Sequence, residues 1–161
     1  MIKIPLLHSR RLAGIVLALS IPAMVYSQGS PLPKTNRVKL EAVAETHLLM
    51  EGLLEANFRG LNRLLKEAPP DQATWTFARG QALLIAESGN LLLIRPPKGG
   101  GQDLWQTRSV ELRETGAKVA RLIAAKDYAR SRNSLVELAN ACNRCHRDFR
   151  VGKQINPWTD E

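Results

Sequence analysis

The chain predicts an all-α fold, an antiparallel up-down-up-down four-helix bundle. Three observations carry that expectation. Apolar residues recur at alternating steps of three and four in four long stretches; no segment shows the period-two alternation of a half-buried strand; and the breaks between the stretches are two short turns and one longer loop. A chain of 161 residues, 44% of them hydrophobic, is long enough for one domain with a real core. It carries no internal repeat.

Met1 to Ser27 reads as a secretory signal peptide. Lys3, Arg10 and Arg11 form a basic start, Leu12 to Tyr26 is mostly apolar, and Val25-Tyr26-Ser27 is a small-residue cleavage site before Gln28. The apolar run is short for a membrane span and contains Pro22, so export to the periplasm is expected over an uncleaved anchor. Three of the 23 basic residues and none of the 15 acidic ones fall in this segment, so its removal lowers the formal net charge from +8 to +5. An excess of that size, without basic residues interleaved with aromatics, solvates a surface, and no nucleic-acid partner is expected.

Residues 28–36 are rich in Pro, Ser and Gly and form a flexible leader. The first helix is expected from Arg37. Its inward seam is Leu40, Val43, His47, Met50, Leu54, Asn57, Leu61 and Leu64, widened by Leu49, Leu53, Phe58 and Leu65. Pro69-Pro70 stops it, and Asp71 is the N-cap of a second helix over Gln72 to Ile94, with Trp75, Ala78, Ala82, Ile85, Gly89 and Leu92 inward. Arg95 to Gly101 is a Pro- and Gly-rich loop. It is no phosphate cradle, because no Gly-Lys-Ser/Thr follows and no strand precedes it. Asp103 is expected to cap the third helix, with seam Trp105, Ser109, Leu112, Gly116, Val119 and Ile123. Asp127 caps the fourth, whose stripe is Tyr128, Ser131, Leu135, Leu138, Cys142, Cys145 and Phe149, before a C-terminal tail at 152–161.

That last stripe runs into Cys142-Asn143-Arg144-Cys145-His146, and C-x-x-C-H is the attachment signature of a c-type haem. On a helix the two thiols lie about one turn apart, close enough to bond two vinyl groups of one porphyrin, and the next residue offers an imidazole to the iron. Both cysteines are used by the motif, leaving none for a structural disulfide, which agrees with export. Three other readings exist for these letters: a redox dithiol, half of a zinc site, and chance. A redox dithiol belongs beside a βαβ pattern, which is absent, and a Cys2His2 zinc site would need His47 as its fourth ligand.

A four-helix pattern with a single C-x-x-C-H on its last helix resembles the class II c-type cytochromes: cytochrome c′ and its six-coordinate relatives of the cytochrome c556 type. The likeness spans residues 37–151, but only CNRCHRDFR, Cys142 to Arg150, is specific. The resemblance implies a left-handed antiparallel bundle enclosing one covalent haem c, with His146 as proximal iron ligand. It also implies that Phe149 and Arg150, three and four places after that histidine, lie near the haem. In the family a methionine of the first helix fills the sixth iron position, or a nonpolar residue leaves it empty for NO or CO. Met50, the one methionine outside the signal segment, is the expected distal ligand, and His47, one turn earlier, is the alternative. The Trp-containing second and third helices and the Lys98 to Gly101 loop depart from the family pattern.

The expected function is electron transfer by an exported monohaem cytochrome, not an enzyme, with redox proteins as partners. The alternatives are a five-coordinate NO/CO-binding haem protein and a haem-free helical interaction protein with a zinc clip. Leu48 and Leu49, or Leu91 to Ile94, could support a homodimer through the first two helices, the alternative being a monomer.

Overall fold

Seams repeating at three and four need an apolar surface to pack on, and here that surface is other helices, since every regular element among residues 39–158, which the computed structural model describes, is helical. The signal peptide and leader expected at the N-terminus lie outside the described residues. The first helical run is unbroken but not uniform: α1 (Thr46–Leu49) passes into a π-helical segment (Met50–Glu55) and then into α2 (Ala56–Leu64). Three long helices follow, α3 (Gln72–Leu93), α4 (Gln102–Ala124) and α5 (Tyr128–Asp148). α3 packs along α4, α4 along α5, and the π-helical segment with α2 along α3, which makes a helical bundle.

The seams meet in one core. Leu61, Leu65, Ile85, Val119, Ile123, Leu135 and Leu138 are fully buried, each worth about 1.5–3 kcal/mol relative to exposure. Small residues set the α3–α4 distance. A Cβ at Gly89 would stand 2.7 Å from the Ser109 carbonyl oxygen, and one at Gly116 would stand 2.9 Å from the Ala86 nitrogen. No helix among the described residues is long and apolar enough to cross a membrane.

Two expectations are corrected. The first helix begins at Thr46 rather than Arg37, so Leu40 and Val43, assigned to the seam, are 74% and 95% exposed. The reason is the neighbour. Arg95, just past the end of α3, donates from Nε to the Ala44 carbonyl at 3.1 Å, so α3 has ended where the first helix starts. An earlier turn would have no seam to pack on, and propensity alone does not sustain a short helix. Asp103 is not the cap of α4 either; Gly101 holds that position with φ +79, which a glycine adopts without strain, and Asp103 lies in the first turn. Asp71 and Asp127 are caps as expected, accepting from the Thr74 and Arg130 amides at 2.7 and 3.0 Å.

α4 and α5 end alike. Lys126 and Arg150 take left-handed φ values of 54 and 57. In each case two returning amides satisfy the last carbonyls: Asp127 to Leu122 and Lys126 to Ile123, then Val151 to His146 and Arg150 to Arg147. The second turn sends the chain back along α5. Ile155 packs against the core, Pro157 is buried, and the Trp158 ring lies 4.4 Å from the Arg132 guanidinium. Arg132 also donates to the Leu65 and Lys66 carbonyls at 2.8 and 2.7 Å, just past the end of α2.

Candidate functional site

Steps of three and four return to one side of a helix, so α5 presents Cys142, Cys145 and Phe149 together, with His146 beside them. All four line one cavity of about 550 Å³, inside the range of roughly 300–1,000 Å³ typical of cofactor sites. Its other walls include His47, Met50, Leu54 and Phe58 from the first helical run and Ile85, Leu92, Trp105 and Leu112 from α3 and α4. The space is therefore mostly apolar, with a few soft or polar groups.

The two thiols are buried enough to change their chemistry. Burial, then the neighbouring Cys145, pushes the Cys142 thiol up to about 12; burial, then the Asp148 carboxylate, pushes Cys145 up to about 11. A redox dithiol works through a thiolate made available by a lowered pKa, so this environment disfavours that reading. His146 is held differently. Its Nδ1 is 2.7 Å from the Lys153 carbonyl oxygen, which can only accept, so Nδ1 carries the hydrogen of this bond and Nε2 is the ring nitrogen left for another partner.

On the first helical run the candidates separate. Met50 is half-buried, packs against the core and lines the cavity. His47 also reaches the cavity wall, but its side chain is 67% exposed and 4.0 Å from Glu45. Both lie at the junction with the π-helical segment, a rare geometry that concentrates at functional sites. Asn57 turns away, donating to the Leu53 carbonyl at 2.6 Å. Phe149 stands edge-on to Trp105, centroids 5.1 Å apart, and the Trp105 indole donates to the Leu92 carbonyl at 2.7 Å. Arg150 is exposed at its left-handed turn and is not in the cavity wall.

Two features beside the motif carry no sequence signal of their own. Arg144 donates to Glu111 at 2.8 Å; Arg108 bonds Glu111 at 2.8 Å and Asp148 at 2.6 Å, tying the motif to α4. Burial alone would raise the Glu111 carboxyl, but the Arg144 and Arg108 hydrogen bonds hold it below the usual value. Charges at helical spacing read as a solvated face, which hides such a network. The returning tail is the second feature, with Val151, Lys153 and Ile155 in the cavity wall.

No group of three or more His, Cys, Asp and Glu side chains converges to hold a metal ion among the described residues. A Cys2His2 zinc site is thus not assembled. Haem asks for less from the protein: two thiols, one imidazole and an apolar slot, with a sixth ligand optional. The residues here fit that demand. No protein family, curated protein or solved structure matches this chain.

Proposed function

We propose that the chain is an exported monohaem c-type cytochrome that carries electrons, with haem c bonded to Cys142 and Cys145, His146 as proximal ligand and Met50 as distal ligand. One observation carries the reading: the C-x-x-C-H residues and Met50 line the same mostly apolar cavity, from different helices. Bound there, the haem supplies a one-electron ferric/ferrous couple. The chain's own residues anchor, orient and exclude water. Cys142 and Cys145 fix the group to α5, the Lys153 carbonyl orients His146, and Leu54, Phe58, Ile85, Leu92 and Leu112 supply apolar wall.

The same reading takes the bundle as antiparallel, up-down-up-down. Supporting it, contacts pair helix starts with ends: Trp105 with Leu92, Tyr128 with Lys66, and Arg108 with Asp148. The signal peptide and periplasmic location belong to this proposal too, as do redox-protein partners.

Leu54 and Phe58 on the wall that also carries Met50 favour one competing reading, a five-coordinate protein that binds NO or CO. Visible spectra of the reduced protein with and without CO separate the two. The proposal expects a low-spin spectrum that CO leaves unchanged; a high-spin spectrum that shifts with CO selects the competitor.

A further inference from the structure

α5 does not simply end after the motif. Its left-handed turn at Arg150 reverses the chain, and residues 152–158 run back as a strap tied down at four points. The Lys153 carbonyl accepts from His146 Nδ1 at 2.7 Å. Asn143, inside the C-x-x-C-H run, grips Ile155 by both main-chain groups: its Nδ2 donates to the Ile155 carbonyl at 2.8 Å and its Oδ1 accepts from the Ile155 amide at 2.7 Å. Lys153 Nζ is paired with Glu55 of the π-helical segment, and Trp158 is held at Arg132.

We propose that this strap is a positioning device for His146, with Asn143 and Lys153 as its positioning residues, and that it holds the reduction potential of the site down. This rests on the haem reading given above. The argument is one of donor strength. A histidine whose second nitrogen donates to a fixed carbonyl has one tautomer, one ring orientation and a more basic ligating nitrogen. A more basic imidazole favours ferric over ferrous iron, and hydrogen bonding around the ligand is one of the protein's means of setting potential. The carbonyl would be useless on a wandering tail, and the paired bonds from Asn143, two residues further on, hold it in register. Lys153 also joins the strap to the first helical run, so the anchor of the proximal side is fixed to the wall that carries Met50.

The test uses full-length Asn143→Ala and a chain ended after Val151, both made with haem maturation, against wild type. Asn143 occupies a variable position of the motif, so covalent attachment is expected to persist on a haem-stained denaturing gel. The midpoint potential is expected to rise, with the ferric-to-ferrous ratio at fixed poise falling up to ten-fold, which for one electron is about 59 mV. In a Met50→Ala background, the iron–histidine stretch of the reduced protein is expected at lower frequency in both variants. Loaded variants with unchanged potential and unchanged stretch overturn the inference. So does loss of covalent haem from Asn143→Ala alone, because the residue would then serve attachment rather than positioning. If the shortened chain does not fold, Asn143→Ala decides. A wild type without covalent haem instead sinks the haem reading itself, which the same gel records.

Discussion

Met50 and His47 are three residues apart, about 4.5 Å along an α-helical axis, so one iron would take only one of them. Their surroundings differ enough to choose. Met50 packs on the core at the cavity, whereas His47 sits in solvent near Glu45, and bringing it over a haem would require moving an exposed side chain inward. Met50→Ala is therefore expected to turn a low-spin ferrous spectrum high-spin and to open the iron to CO, while His47→Ala leaves the spectrum as it was. A spin change confined to His47→Ala would assign the ligand to the histidine, and a wild type already high-spin would make Met50 core packing. At this scale the sequence was informative where the rule is local. The local spacing of Cys142, Cys145 and His146 and the seam position of Met50 bring all four to the wall of one cavity. Asn143 and Lys153 were not legible, because their part is played through an amide clamp and a main-chain oxygen, which no periodicity marks.

Among the elements, α3 and α4 make the closest pairing, and glycine explains how. Gly89 and Gly116 face backbone of the partner helix, so a methyl there forces the helices apart. Gly89→Ala and Gly116→Ala are each expected to destabilise the fold by about 1–3 kcal/mol, despite alanine's better helix propensity. Gly80, in the same α3, has nothing within 4 Å of its Cβ direction, so Gly80→Ala is expected to stabilise by about 0.5–1 kcal/mol. Thermal melts of the three variants check this; stabilisation by Gly89→Ala or Gly116→Ala would contradict the close packing. The seams of α3, α4 and α5 are readable from spacing because each has a partner along its length. The first helix misleads the same reading, since Leu40 and Val43 keep the period but lie past the end of α3 and have nothing to cover them.

For the whole molecule, charge pairs tie the elements that surround the cavity: Glu111 to Arg144 and Arg108, and Glu55 to Lys153 and Arg59. The Glu111 carboxyl is raised by burial yet held lower on balance by its two arginines, and Glu55 is held lower chiefly by its bond from Lys153. A carboxylate whose folded pKa is depressed adds stability above its unfolded value of 4.5, and that stability is lost as pH falls through the folded value. The melting temperature is expected to fall as pH drops below the unfolded value of 4.5, and less steeply in Glu111→Gln; an identical slope in that variant would remove Glu111 from the account. The four-helix core is legible in the sequence as a whole-chain pattern, but the strap is not, because nothing in a short segment with Gly152 and Pro157 predicts that it docks.

The central claim is that one haem is bonded to Cys142 and Cys145, and the most direct measurement is covalent haem per chain. The full chain, produced in an exporting host with haem maturation, would be run on a haem-stained denaturing gel beside Cys142→Ala, Cys145→Ala and the double variant. The account predicts one covalent haem per wild-type chain, a sharp loss in each single variant and none in the double. Wild type without covalent haem, or full haem retained when both thiols are gone, would contradict it.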